Sequence, residues 1–206
     1  MQKPYTTIKE YGKFEYEDRK SVFIGEAMPV STEAEAIAFV DSVKKHYPDA
    51  RHHVYAYVLR ENSAMRFTDD REPQGTAGMP VLDTIRKNGC TDVVIVVTRY
   101  FGGTLLGTGG LVHAYTAAAV GALEAGNIIT YDIYSELEIA VSYSDYQRLG
   151  NLFAEFAFRT ETTDYTDKIV IVGKIKNTEQ EAFAQKLIEL TAGRAELKKL
   201  GEKYDF

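Results

Sequence analysis

The chain has 206 residues, of which 45% are hydrophobic and 12% aromatic, so it can bury a full core and does not have the composition of a disordered protein. Its net charge of −6 argues against non-specific binding of nucleic acid over the whole surface. The single cysteine, Cys90, cannot form an internal disulfide, and no apolar run approaches the roughly 18 residues of a membrane span, so we expect a cytoplasmic protein that does not enter the membrane.

The first part of the chain predicts strands with one helix between them. Apolar alternation indicates one or two strands within residues 12–30. Thr32-x-x-Glu35 is a capping box, which predicts that a helix begins after Thr32. Two further strands are expected over residues 54–59 and 64–68, joined by a short polar turn.

Residues 69–78 form a turn-rich loop with three carboxylates, Asp69, Asp70 and Glu72, ahead of a short helix predicted over residues 80–88. Hard cations prefer clustered carboxylates, so these three residues are the candidates for binding Mg²⁺. A solvated turn is the favoured interpretation, because Asp beside Gly and Pro is ordinary turn chemistry. We therefore expect neither a metal site nor a cofactor.

The most unusual part of the chain is a glycine-rich connection. Residues 93–97 are all Val or Ile, which predicts a strand buried on both faces. Residues 101–110, hereafter the glycine loop, contain five glycines, and an alanine-rich helix is predicted over residues 111–126. We expect Gly109 or Gly110 to need a positive φ.

A strand, a glycine-rich turn and a helix N-terminus are typical of an anion site, because unpaired N–H groups and the helix dipole point to one spot. The glycine loop has neither a Gly-Lys-Ser/Thr ending nor the G-x-G-x-x-G spacing, so it is not a standard nucleotide motif. A tight turn packed under a neighbouring element is the alternative interpretation.

Residues around the glycine loop complete the candidate site. Arg99 ends the strand, where its guanidinium could contact a phosphate, and His113 could add charge near the start of the helix. Tyr100 and Phe101 could stack on bases, and could equally pack against the core. The candidate nucleic-acid or anion-binding residues are Arg99, Tyr100, Phe101, Gly102, Gly103, Gly107, Thr108, Gly109, Gly110 and His113.

The last third of the chain predicts the element order β-α-β-β-α-β, which is that of the ferredoxin-like split unit. This pattern is complete by itself and differs from the pattern that precedes it. We therefore place a domain boundary inside its first strand, which gives an N-terminal domain of residues 1–134 and a C-terminal domain of residues 135–206.

Two blocks of sequence resemble the signature of the IMPACT family, in its bacterial YigZ-like branch. They are D-D-R-E-P-Q-G-T-A-G-M-P-V-L from Asp69 and V-V-T-R-Y-F-G-G-T-L-L-G-T-G-G-L-V-H-A-Y from Val96. K-S-V-F-I from Lys20 and H-H-V-Y-A-Y from His52 resemble two earlier patches of the family. Two positions depart from the family pattern: Arg71 stands where Gly is usual, and His113 stands where Arg is usual.

The resemblance implies an α+β protein with two different domains. The N-terminal domain is expected to be similar to the α/β fold shared by the second domain of a small-subunit ribosomal protein and the GHMP kinases. The C-terminal domain is expected to be similar to domain V of elongation factor G. The resemblance also implies a role in translation. Eukaryotic relatives restrain the kinase that stops initiation during amino-acid starvation, but through an extra N-terminal domain, so that mechanism is not carried over.

Two hypotheses about function follow. The preferred one is a non-enzymatic cytosolic protein that binds RNA or the ribosome and modulates translation, with a translation-related protein as a further partner. The alternative is a small-molecule phosphoryl-transfer enzyme that holds a nucleotide in the glycine loop and Mg²⁺ at Asp69 or Asp70. RNA that co-purifies with the protein would favour the first hypothesis, and a bound nucleotide would favour the second.

Overall fold

Two antiparallel sheets and six α-helices form the regular structure of residues 3–206, the part of the chain that this computed structural model describes. The protein therefore belongs to the α+β class, as the sequence predicts. The strands are β1 (Tyr5–Ile8), β2 (Gly12–Asp18), β3 (Ser21–Pro29), β4 (His52–Val58), β5 (Met65–Thr68), β6 (Val93–Tyr100), β7 (Ile128–Val141), β8 (Arg159–Tyr165), β9 (Ile169–Lys176) and β10 (Glu196–Asp205). The helices are α1 (Glu33–His46), α2 (Gly78–Lys87), α3 (Gly107–Ala125), α4 (Tyr143–Tyr146), α5 (Leu149–Glu155) and α6 (Gln180–Thr191).

The chain divides into two compact units, and the division falls within β7. The first unit is Tyr5–Thr130, and the second is Tyr131–Phe206 together with the first residues of the chain. Independent folding of residues 1–134 and 135–206 stays a prediction. Among the described residues, no helix combines the length and the apolar character needed to cross a lipid bilayer.

The first unit is built around β6. Its sheet has the order β2-β3-β6-β4-β5, and every neighbouring pair is antiparallel. Residues 93–97 of β6 are fully buried, which confirms the prediction of a strand covered on both faces. Helix α1 packs Val40 and Val43 into the core on one face of the sheet, and α3 packs Ala118 and Ala122 into the core on the other.

Two glycines allow α3 to lie directly on the sheet. A Cβ atom on Gly25 in β3 would lie 2.3 Å from the carbonyl oxygen of Ala118, and one on Gly12 in β2 would lie 2.2 Å from that of Ala122. Only glycine leaves room for such a close approach of two backbones. The position of α3 is therefore fixed against β2 and β3, and its first turn is held at the end of β6.

Helix α1 begins where the capping box predicts. The Oγ1 atom of Thr32 accepts a hydrogen bond from the Glu35 N–H over 3.2 Å. The carboxylate of Glu35 accepts from the N–H of Ser31 over 2.6 Å, one residue before the position that a standard capping box uses. Both bonds satisfy N–H groups near the helix start.

The second unit has the element order β7-α4-α5-β8-β9-α6-β10, and its strands have the order β10-β7-β9-β8 with antiparallel neighbours. This is the β-α-β-β-α-β order that the sequence predicts, with the first helical segment divided into α4 and α5. Strand β1 also pairs with β7, which makes this sheet five-stranded. Leu152 from α5 and Phe183 from α6 pack against Leu137 and Ile171 of the sheet. The helices therefore cover one face of this sheet.

Candidate nucleic-acid interface

The glycine loop connects β6 to α3 and also supplies the first turn of α3, because the helix begins at Gly107 and not at residue 111. Gly103 and Gly107 have positive φ values of 85° and 75°. Gly109 and Gly110 lie inside the helix and outside the left-handed region, so the expectation that one of them needs a positive φ is wrong. The left-handed positions are Gly103 in the loop and Gly107, the first residue of the helix, so the later glycines have helical backbone.

The turn between β2 and β3 packs against the glycine loop. A Cβ atom on Gly102 would lie 2.1 Å from the carbonyl carbon of Lys20, and the Gly102 N–H donates to Ser21 Oγ over 3.1 Å. The Arg19 guanidinium donates to the carbonyl oxygen of Leu105 over 3.3 Å. Arg19 and Lys20 therefore flank the glycine loop.

Sequence reasoning did not assign Arg19 and Lys20 to the site. Lys20 opens the K-S-V-F-I patch of the family resemblance, and the two residues are a polar pair between two alternating segments, which is typical of a two-residue hairpin turn. The structure has such a turn, because Asp18 lies opposite Ser21. The neighbour of this hairpin, β6, is far away in the sequence, so the sequence pattern alone does not bring the two together.

Arg99 is buried and forms an ion pair. Its Nη1 donates to Glu72 Oε1 over 2.6 Å, and the two side chains are only 7% and 4% exposed. The Tyr115 hydroxyl donates to the same oxygen over 2.8 Å, and His52 Nε2 lies 3.9 Å from it. These four residues are named the Glu72 cluster.

The Glu72 cluster connects and stabilises the loops at the end of the sheet. Burial, and then the Glu72 carboxylate, raise the pKa of the Tyr115 phenol above its ordinary range, so the phenol stays protonated and keeps donating. Glu72 balances the charge of Arg99, whose Nε has no hydrogen-bond partner among the described residues. The cluster thereby joins the loop of residues 69–78 to β6 and α3.

The three carboxylates of that loop face separate sets of partners. Asp69 accepts three hydrogen bonds of 2.8 to 3.1 Å from backbone N–H groups within residues 75–78, so it caps the start of α2. Asp70 Oδ2 accepts from the backbone N–H of His53 over 2.7 Å, and Glu72 belongs to the Glu72 cluster. Among residues 3–206, no group of three His, Cys, Asp or Glu side chains is arranged to hold a metal ion.

Arg71 occupies a left-handed backbone position, with a φ of 70°. This is the position at which the family resemblance leads us to expect glycine, the residue that adopts this conformation most easily. The Arg71 side chain is 77% exposed, and its Nε lies 3.7 Å from Asp70 Oδ1. Its Nη2 donates to the carbonyl oxygen of Arg51 over 2.6 Å, which holds the two arginines together.

Tyr100 and Phe101 are held differently. The Tyr100 hydroxyl donates to Asp49 over 2.9 Å, and its ring packs edge-on against Tyr47 at 6.5 Å. Phe101 is 46% exposed, and the Arg99 guanidinium lies 5.7 Å from its ring centroid. Phe101 is therefore the accessible stacking surface, whereas Tyr100 is anchored.

The first turn of α3 is exposed and uncapped. Its N-cap residue is Leu106, and no side chain of the described residues caps the first N–H groups. Gly107, Thr108 and Gly109 are exposed at this end of the helix. His113 is exposed as well, and its ring meets the ring of Tyr16 edge-on at 5.9 Å. The free N–H groups are thus open to water or to an anion.

Four exposed cations lie at the end of the sheet beside the glycine loop, and they are named the basic rim. They are Arg19, Lys20, Arg51 and Arg71. Val22 lies opposite Tyr100, and His52 lies opposite Arg99. The β2–β3 turn, the end of β6 and the start of β4 therefore lie at the same end of the sheet. Within the described residues, only Arg71 of the four has a carboxylate within 4 Å.

These features define a class: a two-unit α+β protein with a glycine loop at the end of an antiparallel sheet and a β-α-β-β-α-β second unit. Residues 19–123 match the Impact N-terminal domain, and residues 139–194 match a domain of unknown function, DUF1949. The chain belongs to the IMPACT family, in its bacterial YigZ-like branch.

The similarity to individual relatives extends over nearly the whole chain. IMPACT family member YvyE of Bacillus subtilis is 34% identical over 94% of this chain and 90% of its own length. IMPACT family member YigZ of Escherichia coli is 32% identical over 94% of this chain and 93% of its own length. The crystal structure of a hypothetical protein matches with a TM-score of 0.60 and 29% identity, over 98% of this chain and 99% of the other.

Proposed function

We propose that this protein is a non-enzymatic, cytoplasmic protein that binds RNA or the ribosome and modulates translation, with a translation-related protein as a further partner. Its membership of the IMPACT family supports the link to translation, because the family resemblance implies that eukaryotic relatives act in the control of translation. The observation that carries RNA binding is the basic rim beside the exposed ring of Phe101.

The basic rim supplies positive charge locally in a chain whose net charge is −6. A phosphate ligand must then be recruited by one part of the surface and not by the overall field. The nearby carboxylates of Asp49 and Asp70 are already engaged, by the Tyr100 hydroxyl and by the His53 backbone N–H respectively. Both carboxylates keep their charge with these neutral donors, but two carboxylates against four cations offset the charge of the rim only in part.

The glycine loop adds donors to the same surface. The N-terminus of α3 carries roughly half a unit of positive charge, and its first N–H groups lack side-chain caps. In the proposed site, the loop glycines and Thr108 offer N–H groups to a phosphate, and His113 lies on the exposed side of the same helix start. Phe101 stacks on a base, while Tyr100 and Arg99 hold the strand end in place.

Two likenesses to translation proteins belong to this proposal. We infer that the first unit is similar to the fold of the small-subunit ribosomal protein domain and the GHMP kinases, and that the second is similar to domain V of elongation factor G. The β-α-β-β-α-β order of the second unit supports the latter likeness. Both likenesses are analogies of fold, and function depends on the site.

The phosphoryl-transfer alternative receives less support from the geometry. It needs Asp69 or Asp70 to hold Mg²⁺, yet Asp69 accepts three backbone hydrogen bonds and Asp70 accepts one. Hard cations are bound by carboxylate oxygens that face one common point. We therefore keep RNA or ribosome binding as the single proposed function.

Fluorescence anisotropy with a labelled RNA, over a series of salt concentrations, tests RNA binding. The double variant Lys20→Ala/Arg51→Ala removes two exposed cations of the basic rim. If both contact phosphates, the slope of log K against log salt should fall by about 1.4 for a single strand. Lys87→Ala, which removes an exposed cation at the far end of α2, is the matched control and should leave the slope unchanged.

Ribosome binding and translation need their own measurements. Co-sedimentation of the full chain with ribosomal subunits through a sucrose cushion should be lost in the same double variant. A cell-free translation reaction should respond to the wild-type chain and not to the variant. A wild-type chain that binds neither RNA nor ribosomal subunits at 0.1 M salt would overturn the proposal.

A further inference from the structure

We infer, provided that the protein binds RNA at all, that its ligand is single-stranded RNA that crosses the end of the first sheet at right angles to the strands. Its path runs from the Arg19–Lys20 turn, over Phe101, to the Arg51–Arg71 pair. This inference assigns a chemical class and a direction to the ligand of the basic rim.

The strand order of the first sheet determines this path. In the order β2-β3-β6-β4-β5, the Arg19–Lys20 turn joins the first two strands, Phe101 follows the middle one, and Arg51 precedes β4. Arg71 lies beyond the end of β5 and reaches the Arg51 carbonyl oxygen. Neighbouring strands are about 4.8 Å apart, so the two pairs of cations are separated by roughly 10 to 15 Å, with Phe101 between them.

The position of Phe101 favours a single strand over a duplex. Its ring is 46% exposed, and Leu105 beside it in the glycine loop is 81% exposed. Aromatic rings on the surface of a nucleic-acid-binding protein stack on unpaired bases, whereas the bases of a duplex are already stacked on one another. Cations on both sides of an exposed ring are therefore suited to a strand whose phosphates reach the cations and whose base reaches the ring.

Three of the four cations lie at left-handed backbone positions. Arg19, Lys20 and Arg71 have φ values of 47°, 66° and 70°. Side chains disfavour this left-handed region, and Gly or Asn is the usual choice at such turn positions. The chain thus keeps long basic side chains at positions where glycine would strain the backbone less, as it also keeps alanine at Ala192.

This conflict between stability and binding gives a sharp experiment. Lys20→Gly and Arg71→Gly each remove a cation and relieve the backbone, and both should lower the affinity for oligo(U). Lys20→Gly should also raise the melting temperature, whereas in Arg71→Gly the lost hydrogen bond to the Arg51 carbonyl oxygen offsets the relief. Each should also reduce the salt slope by about 0.7. Ala192→Gly is the matched control, because Ala192 has a φ of 51° at the end of α6 in the second unit and carries no charge. It should raise the melting temperature and leave the affinity unchanged.

Phe101→Ala separates the single strand from the duplex. Loss of one stacked base should weaken oligo(U) binding at least about fivefold and leave the binding of a duplex of equal length unchanged. Polyglutamate, a polyanion without bases, should compete less well than oligo(U) at equal charge. Equal competition, or equal effects of Phe101→Ala on single strand and duplex, would show that the surface recognises charge alone and would overturn the inference.

These experiments distinguish a failure of RNA binding itself from a failure of the inferred RNA path across the sheet. If the wild-type chain binds oligo(U), and only the Arg19–Lys20 end responds to substitution, then RNA binding holds and the path across the sheet is wrong. If the wild-type chain binds no RNA, both fail together. Loss of affinity in Lys20→Gly, Arg71→Gly and Phe101→Ala, with unchanged binding in Ala192→Gly, supports both.

Discussion

Tyr115 and Glu72 are 43 residues apart in the sequence, and a hydrogen bond of 2.8 Å joins the phenol of one to the carboxylate of the other. Arg99 donates to the same carboxylate oxygen from β6. Because all three side chains are buried, this single oxygen connects helix α3, strand β6 and the loop that leads to α2. The arrangement of the loops next to the basic rim depends on it.

Removal of the Glu72 charge should be far more damaging than removal of its hydrogen-bond partner. Glu72→Gln leaves the buried Arg99 guanidinium without a counter-charge, and we expect the free energy of unfolding to fall by about 3–5 kcal/mol. Tyr115→Phe removes one hydrogen bond to a charged group and should cost about 1.5 kcal/mol. Urea unfolding of both variants measures these losses, and equal losses would mean that charge balance is not what holds the Glu72 cluster together.

Two glycines of the glycine loop should respond in opposite directions to substitution by alanine. Gly102→Ala places a methyl group 2.1 Å from the Lys20 carbonyl carbon, so the β2–β3 turn must move and the melting temperature should fall. Gly109 lies within α3 with no atom within 4 Å of an added Cβ, and Gly109→Ala should stabilise the protein by about 0.5–1 kcal/mol. Thermal unfolding distinguishes the two, and a loss of stability in Gly109→Ala would contradict this account.

The protein should lose stability in alkali through Tyr57. Burial, followed by the hydrogen bond to Glu33, raises the pKa of Tyr57 to about 12. The unfolded phenol ionises from about pH 10, so the stabilising contribution is complete below that pH and is lost as the pH rises through about 12. Between pH 8 and pH 11, the free energy of unfolding should therefore fall by about 1 kcal/mol more in wild type than in Tyr57→Phe.

Urea unfolding at the two pH values measures this difference. Tyr143→Phe, which changes a half-exposed phenol, is the control for a general effect of removing one hydroxyl. A pH dependence that is identical in wild type and Tyr57→Phe would show that Tyr57 ionises with the same pKa in the folded and unfolded chains.

The domain boundary can be tested by expressing pieces of the chain. We expect residues 1–134 and 135–206 each to unfold cooperatively, and a piece that starts at residue 131 to be more stable than one that starts at residue 135. Tyr134 lies opposite both Lys176 and Lys203 in the second sheet, and its hydroxyl accepts from Arg159 over 3.1 Å. Urea unfolding of the three pieces measures this, and non-cooperative unfolding of all of them would contradict the division into two domains.

The elements of the fold were predictable where the signal is local. Five consecutive Val and Ile residues identify β6, and Thr32 with Glu35 identifies the start of α1. The β-α-β-β-α-β order of the second unit also follows from local periodicity. These features depend on residues within one turn or one strand, which is the range over which a sequence pattern carries information.

The candidate site was predictable only in part, because it depends on contacts between distant segments. The sequence identifies the glycine loop but does not show that Gly103 and Gly107 take the positive φ, since five glycines close together are equivalent as a pattern. It gives no partner for Arg99, which is paired with Glu72 from a separate loop. Lys20 reaches the site through the pairing of β3 with β6, and the register of non-local strands cannot be read from periodicity.

The close packing of α3 on the sheet makes the site sensitive to remote changes. Gly12 touches α3 at Ala122, seven residues and about 10 Å along the helix axis from Tyr115. A side chain at Gly12 would lift that end of the helix, and a rigid helix pivots as one body. The other end would then swing, carrying the phenol away from Glu72 and tilting the ring of N–H groups that faces solvent. Substitutions of the sheet residues that contact α3 are therefore expected to weaken binding without changing any residue near the ligand.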